Sequence, residues 1–368
     1  MKTLYFFIGT EAELMKMYCV VQEARKRGYE CKIISNGQNN IKGTYFLDIL
    51  GGTIDIDLTC YAAKEKNMLE YLKWFIKTER LGVKKLKDEI KNADSKDVLM
   101  IVHGDTMSTL MGARIAQKCK MDYVHVESGP RSFNWLSPFP EEIDRYFSSK
   151  KSKINFCSRQ EFTDMAAKYF KGKAVNTEYN TGIETLYLAL EHNEVSKPQR
   201  IIEEKYFLVA IHRQENLMSE TFMTKAFEEI IDLSNDMKCL FIYHEQTRNA
   251  LEKVGMWEKV KACENIVIVP RQGYFDFINS VENSEFVVAD GCGNQQEFYY
   301  LGKPYLIMRT EVEQNSDGLQ WNAIYFENDY SNIRKFYENY NIYKKERVIP
   351  KILPSQIIMN TLDEYFME

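Results

Sequence analysis

The chain has 368 residues, of which 45% are apolar and 27% are charged, and its formal net charge is -5 at neutral pH. This length exceeds what one hydrophobic core usually organises, so we expect two domains. The mild acidity argues against a surface for nucleic acid or anionic membranes, although a local group of cations and N–H donors can still hold a diphosphate.

The cysteines and the N-terminus indicate a cytoplasmic location. The eight cysteines are scattered without a C-x-x-C pair, as expected for reduced thiols rather than for zinc ligands or a disulfide scaffold. The apolar run 4–8 stops at Gly9, which is too short for a signal peptide or a membrane span, and no later run is longer than a strand. We therefore expect a soluble cytoplasmic protein without membrane insertion.

Short apolar runs alternate with longer amphipathic stretches along the whole chain. The runs lack polar alternation, which is typical of strands buried on both faces of a parallel sheet. The stretch 13–27 is a predicted helix, which Gly28 ends. The strands are predicted at 4–8, 31–34, 98–102, 123–126, 154–157, 207–211, 239–243, 266–269, 286–289 and 305–308. This alternation predicts the α/β class with doubly wound sheets.

The predicted strands divide into two sets near residues 185–205. The polar segment 191–200 contains Pro198 and is interpreted as a linker. We predict an N-terminal domain over 1–188, a C-terminal domain over 200–345, and a final segment, 346–368, whose amphipathic helix packs back across the domains.

Polar and glycine-rich corners follow the predicted strands, where ligands bind in open parallel sheets. Three of the five histidines, His103, His212 and His244, lie at such corners, and His125 lies just inside one. Acidic side chains follow three different strands or corners, at Asp105, Glu127 and Glu141, and are candidates for proton transfer. Capping of a helix start is the alternative interpretation of Glu141, and a solvated loop carboxylate is that of Glu127.

Several motifs in order resemble the non-hydrolysing UDP-N-acetylglucosamine 2-epimerases. They are HGDT at 103–106, HVESG at 125–129, SPFPEEIDR at 137–145, AIHRQEN at 210–216, the stretch 290–297 and LGKP at 301–304. Any one alone is weak, whereas the ordered set is specific. The resemblance implies two Rossmann-like domains facing across a cleft, as in GT-B glycosyltransferases, with UDP held mainly by the second.

The resemblance also implies a reaction. These enzymes remove the proton at C2 of the sugar and expel UDP from C1. UDP then adds back, and a proton returns to the other face of C2. The elimination needs no metal and no redox cofactor. The family often forms homodimers and supplies precursors of surface polysaccharides.

Carried over onto this sequence, the resemblance assigns proton transfer to Asp105, Glu127 and Glu141, without deciding which is the base. It assigns His212, with Arg213 beside it, to offsetting charge on the departing phosphate. It places the following residues at the substrate or the UDP: Thr10, Lys16, Arg145, Arg213, Gln272 and Phe277 near uracil, Gly291, Cys292 and Gly293 at the diphosphate, and Glu297 at the ribose.

The sequence departs from the family pattern around the diphosphate. Glu11 and Ala12 stand where arginine and proline are expected, Cys292 replaces a small residue and is interpreted as packing, and 312–316 lacks the expected threonine and arginine. The segment 38–42 lacks the allosteric motif of bacterial members. A transferase or hydrolase that uses a UDP-sugar, or a nucleotide-sugar-binding protein, is the alternative to a divergent epimerase.

Overall fold

The computed structural model describes residues 2–59, 68–135, 140–291, 294–309 and 321–367. The chain forms two compact units. The N-terminal unit comprises Met1–Thr185 and Pro350–Glu368, and the C-terminal unit comprises Leu186–Ile349. Each is an α/β unit built on a parallel sheet, as the sequence predicts.

The N-terminal unit contains a parallel sheet that, in the described residues, has seven strands in the order β3-β2-β1-β4-β5-β6-β7. The strands are β1 (Thr3–Phe7), β2 (Glu30–Ser35), β3 (Ile56–Asp57), β4 (Val98–His103), β5 (Asp122–Val126), β6 (Ile154–Cys157) and β7 (Lys173–Asn176). The order reverses between β1 and β4, and such a switch point is where doubly wound sheets bind ligands.

Helices connect these strands: α1 (Glu11–Lys26), α2 (Tyr45–Ile49), α3 (Met68–Glu89), α4 (Met107–Lys118), α5 (Glu141–Ser149), α6 (Gln160–Tyr169) and α7 (Gly182–Ser196). The first begins at a capping box in which Thr10 and Glu13 satisfy each other's backbone N–H groups, and it carries Arg25 and Lys26 at its negative end. Its buried face confirms the helix predicted over 13–27.

The longest helix in the described part of the chain, α3, is amphipathic and charged. Its Glu79 is buried and pairs with Arg114 and Lys118 of α4, so ion pairs join this charged helix to α4. Among the helices of the described residues, none combines the length and the apolar character that crossing a bilayer requires.

The C-terminal unit repeats the same plan, with described strands in the order β10-β9-β8-β11-β12-β13 and a switch point between β8 and β11. The strands are β8 (Tyr206–Ala210), β9 (Lys238–Tyr243), β10 (Ile266–Pro270), β11 (Val287–Ala289), β12 (Tyr305–Ile307) and β13 (Ala323–Tyr325). The helices are α8 (Gln214–Leu217), α9 (Glu220–Ser234), α10 (Glu245–Lys253), α11 (Trp257–Ala262), α12 (Tyr274–Asn283), α13 (Gln295–Leu301) and α14 (Ser331–Asn339), the last followed by a 3-10 turn at Tyr340–Tyr343.

The chain leaves the N-terminal unit within α7 and returns to it before the final helix, α15 (Pro354–Tyr365). Helix α7 continues to Ser196, so helical structure occupies much of the polar segment interpreted as a linker. Helix α15 packs against α1. Its Asp363 accepts hydrogen bonds from Arg27 at 2.7 Å and from the Tyr29 hydroxyl at 2.5 Å, which fixes the end of the chain to the N-terminal unit.

All ten predicted strands are present, and no end differs from its prediction by more than one residue. The sequence prediction missed β3, β7 and β13. Each of these lies at the edge of its sheet, where one side of the strand is unpaired. The strand at Lys173–Asn176 is partly or fully exposed along its length, so it carries no continuous apolar run.

Candidate active site

Glu127 lies just past the end of β5 in the N-terminal unit, in a strained backbone conformation. Its φ is +64°, in the left-handed region that a glutamate seldom occupies. The Lys16 ammonium lies 2.8 Å from each carboxylate oxygen, and Nε2 of the buried His103 lies 3.0 Å from Oε2. Burial acts to raise the pKa of Glu127, but Lys16 and His103 outweigh it and hold that pKa well below its usual range. Glu127 is therefore an ionised carboxylate.

Asp105 lies at the corner after β4, the neighbouring strand. The guanidinium of Arg145, on α5, donates from both Nε and Nη2 to Oδ2 of Asp105, at 2.9 and 2.7 Å. This pair joins the strand corner to the helix that carries Glu141. The structure thus brings Asp105 to α5, as required if Asp105 and Glu141 act on one substrate.

Helix α5 carries a further carboxyl, Asp144, which is not among the residues predicted from the sequence motifs. Asp144 lies one turn after Glu141, so the two residues share a face of the helix. Asp144 is fully buried, and among the described residues neither of its carboxyl oxygens has a hydrogen-bond partner; the same holds for one buried oxygen of Glu141, Oε2. Burial, with the nearby charges of Asp105 and Glu141, raises the pKa of Asp144 to about 8. Asp144 is therefore a neutral acid at pH 7.

The neighbouring Glu142 has a different role. It is fully buried and accepts a hydrogen bond from Nε of Arg131 at 2.6 Å, together with one from the backbone N–H of Ser132 at 2.9 Å. The two consecutive glutamates of the SPFPEEIDR motif therefore have different surroundings. Glu142 anchors the segment before α5, whereas Glu141 lies on the face of α5 that carries Asp144.

Glu13 ties together the corners on either side of the switch point. Its buried carboxylate accepts hydrogen bonds from the N–H groups of Gly9 at 2.7 Å and Thr10 at 3.2 Å, and from the Thr106 hydroxyl beyond β4. A side chain at Gly9 would meet Ser108 at 1.8 Å, so the corner needs glycine. The Thr10 side chain caps α1, and its assignment to substrate binding stays a prediction.

His125 is a structural residue of this unit. Its buried Nε2 lies 2.6 Å from the carbonyl oxygen of Gly104, which can only accept, so Nε2 carries the proton and Nδ1 accepts from the Ser149 hydroxyl at 2.9 Å. Burial lowers the pKa of His125 to about 4 and keeps the ring neutral. The contact holds Gly104, with φ of +74°, directly before Asp105.

Asp290 organises the switch point of the C-terminal unit. Its fully buried carboxylate follows β11 and accepts hydrogen bonds from the backbone N–H groups of His212 and Arg213, both at 2.9 Å. The Asn216 amide donates to the same carboxylate at 2.9 Å and to the carbonyl of Met308 at 2.7 Å. Asp290 therefore fixes the conformation of the loop that presents His212 and Arg213.

The His212 ring has three neighbours that define its position. Nδ1 lies 3.4 Å from Oδ1 of Asp290, and the ring stacks on His244 with centroids 4.8 Å apart and an interplanar angle of 11°. A Cβ added at Gly291 would lie 2.6 Å from Cε1 of His212, so only glycine leaves room for this ring. Burial, with the nearby charges of His212 and Arg271, lowers the pKa of His244 to about 4, so His244 stacks as a neutral ring.

The residues assigned to UDP lie along the same edge of the C-terminal sheet. Gln272 accepts a hydrogen bond from the Ser280 hydroxyl at 3.0 Å, Phe277 packs against Phe298 with ring centroids 6.3 Å apart, and Glu297 lies in the first turn of α13. Cys292 and Gly293 lie outside the described residues, as do 137–139 of the SPFPEEIDR motif and the departure at 312–316. The assignments of these residues to UDP stay predictions.

The structure places Asp144, Glu13 and Asp290 beside the predicted site residues at the two switch points. A sequence signal exists for Asp144, since its spacing from Glu141 puts both on one helix face. Glu13 and Asp290 stand within stretches that resemble the family, but their hydrogen bonds join segments that are distant in the chain. Sequence spacing alone does not predict those bonds.

Two doubly wound parallel units, each with its polar side chains at the switch point, define a protein of the GT-B-like class. The sequence model of the family described as UDP-N-acetylglucosamine 2-epimerase matches residues 22–348. The chain belongs to this family, which confirms the resemblance found in its motifs.

Individual relatives agree with this assignment. The UDP-N-acetylglucosamine 2-epimerase of Methanocaldococcus jannaschii is 25% identical over 84% of each chain. The UDP-2,3-diacetamido-2,3-dideoxy-D-glucuronate 2-epimerase of Pseudomonas aeruginosa is 29% identical over 58% of this chain and 59% of its own. The crystal structure of the Neisseria meningitidis UDP-GlcNAc 2-epimerase bound to UDP-GlcNAc has a TM-score of 0.80 at 22% identity, covering 99% of this chain and 100% of that one.

Proposed function

We propose that this protein inverts C2 of a UDP-N-acetylhexosamine, converting UDP-GlcNAc into UDP-ManNAc or acting on a close relative of that pair. The observation that carries the proposal is the group of carboxyls at the switch point of the N-terminal unit, in a chain that belongs to the 2-epimerase family. Ionised and protonated carboxyls coexist there, as a reaction that removes one proton and returns another requires.

The N-terminal unit supplies the proton chemistry in this proposal. Asp105, Glu127 and Glu141 are its proton-transfer residues, and Arg145 orients Asp105 through two hydrogen bonds to one oxygen. Lys16 and His103 keep Glu127 ionised. At neutral pH this carboxylate is therefore ionised and held in position by its two partners.

The C-terminal unit supplies the leaving-group chemistry. When the C1–O bond breaks, the electron pair passes to the β-phosphate of UDP, and the adjacent His212 and Arg213 offset the added charge. The backbone of both residues is fixed by Asp290, so the donors are arranged before substrate binds. Gln272, Phe277 and Glu297 hold the uridine in this proposal.

The decisive measurement is proton NMR of the protein with UDP-N-acetylglucosamine in D2O. The 6-deoxy analogue and UDP-2,3-diacetamido-2,3-dideoxy-D-glucuronate serve as further substrates. We expect the C2 proton signal to disappear and a manno-configured UDP-sugar to form with at least one of them. A C2 proton that persists with all three, together with release of free UDP or transfer of the sugar, would assign hydrolysis or glycosyl transfer instead.

We also propose that the protein works in the cytoplasm as a homodimer and that its product feeds surface polysaccharides. Size-exclusion chromatography with light scattering measures the number of subunits. Loss of a manno-configured amino sugar from the surface polymers of a deletion strain, restored by the gene, would support the pathway.

A further inference from the structure

Three carboxyls belong to α5 and to the corner after β4, which Arg145 joins, and we call Asp105, Glu141 and Asp144 the α5 carboxyl cluster. Arg145 pairs with Asp105. Asp144 has a different environment, since it is fully buried and neither of its oxygens has a hydrogen-bond partner in the part of the chain that the structure describes. A buried carboxyl with no donor near it persists only in its neutral form, because an isolated charge there would be costly.

Few other titratable groups surround Asp144 in residues 68–135 and 140–291, which the structure describes. The corner after β4 contributes Asp105, and α5 itself contributes Glu141 and Arg145. Strand β5 faces α5 with Tyr123 and the neutral His125, which bond Ser148 and Ser149. The segment before α5 contributes Arg131, which is paired with Glu142. The buried residues of α4, which packs against α5, are not titratable.

After each epimerisation, the two groups that exchange protons with C2 have swapped their protonation states. One carboxylate gains the proton from C2, and another group loses its proton to the opposite face of C2. Before the next substrate of the same configuration reacts, a proton must move from the first group to the second. No electrons are gained or lost in this step, and the net proton count of the protein is unchanged.

We propose that Asp144 is the proton store of the α5 carboxyl cluster, returning a proton between Asp105 and Glu141 after each turnover. Neither oxygen is held by another hydrogen bond among the described residues, so the side chain can turn to accept a proton from one carboxyl on one oxygen and release its own proton to the other carboxyl. This role rests on the proposed function. Asp144 acts through its neighbours, so it is a positioning residue for their protonation states and does not touch substrate.

Asp144→Asn tests the proposal, because asparagine keeps the shape of the side chain but has no acidic proton to transfer. We expect kcat to fall about 10- to 100-fold with KM nearly unchanged. In the wild type, activity should decline above about pH 8 as Asp144 ionises. In the variant this alkaline decline should disappear. Asp144→Glu, which retains an exchangeable proton, should recover part of kcat.

The matched control is Asp164→Asn, the same chemical change at an exposed position on α6, which should leave both kcat and the pH profile unchanged. A kcat and an alkaline limb for Asp144→Asn that match the wild type would overturn the proposal. A second pattern would also overturn it: kcat falls in Asp144→Asn, Asp144→Glu does not recover it, and the alkaline limb of Asp144→Asn stays in place. That pattern would mean that Asp144 contributes only to packing.

Infrared spectroscopy of protein labelled with 13C-aspartate provides a measurement independent of turnover. We expect a protonated carboxyl band at pH 7 that is absent from Asp144→Asn and vanishes in the wild type above about pH 8. If Asp144→Asn does not fold, the same titration of the wild type decides the question. No protonated band at pH 7 overturns the proposal, whereas a band with no C2 exchange on any UDP-sugar overturns only the proposed function.

Discussion

Replacing Asp144 by asparagine should stabilise the N-terminal unit at neutral pH. The pKa of this carboxyl is about 8 in the folded protein against an ordinary value of 3.8, so the folded chain keeps a proton that the unfolded chain releases. Unfolding is therefore increasingly favoured as pH rises from about 4 to about 8. Each pH unit in this range lowers the free energy of unfolding by about 1.4 kcal/mol. If the whole pKa shift acts on stability, the loss at pH 7 is about 4 kcal/mol.

Asparagine does not titrate, so the difference between variant and wild type should grow with pH. The difference in stability at pH 4.5 reports how well the amide packs. The change of this difference with pH reports the ionisation of the Asp144 carboxyl. The free energy of unfolding of Asp144→Asn, minus that of the wild type, should increase by about 1 kcal/mol or more for each pH unit between pH 5 and 7. The gain should stop above about pH 8, where the folded carboxyl also ionises.

Hydrogen exchange with mass spectrometry is the suitable assay, because the chain has two units that need not unfold together. Peptides from α5 and β5 report the N-terminal unit, and Asp164→Asn is the control. A difference between variant and wild type that stays constant from pH 4.5 to pH 8 would refute a protonated Asp144. A gain in stability with a loss of turnover would show a site that trades stability for function.

Three further changes test the two switch points. Asp105→Asn should abolish C2 exchange and leave UDP affinity, measured by calorimetry, within about twofold; unchanged turnover would remove Asp105 from the mechanism. Lys16→Met should raise the pKa of Glu127, because that ammonium holds it low, so the acid limb of the pH–rate profile should move to higher pH; an unmoved limb would contradict the pairing. Gly291→Ala should displace the His212 ring, whose Cε1 lies 2.6 Å from the added Cβ, and lower kcat by about tenfold or more. Wild-type kcat in Gly291→Ala would show that this ring position is not needed.

The position of the candidate site at the strand ends could be predicted from the sequence, because doubly wound sheets bind ligands there. Continuous apolar runs predicted the central strands, and the polar corners after them contain Asp105, Glu127 and His212 in the structure. The edge strands β3, β7 and β13 were not predictable in the same way. An edge strand buries less of its surface, so its sequence need not be apolar throughout.

What each side chain does at the site depended on tertiary structure. The sequence by itself determined the α/β class, the order of the motifs and the positions of the candidate carboxylates, because these follow from local periodicity and from strand ends. It did not determine that Asp144 is neutral while Glu127 is ionised. That difference arises because Lys16 approaches Glu127 from a distant helix, whereas no cation reaches the buried Asp144 among the described contacts. Protonation states are set by the charges and the burial that folding brings together, and spacing along the chain specifies neither.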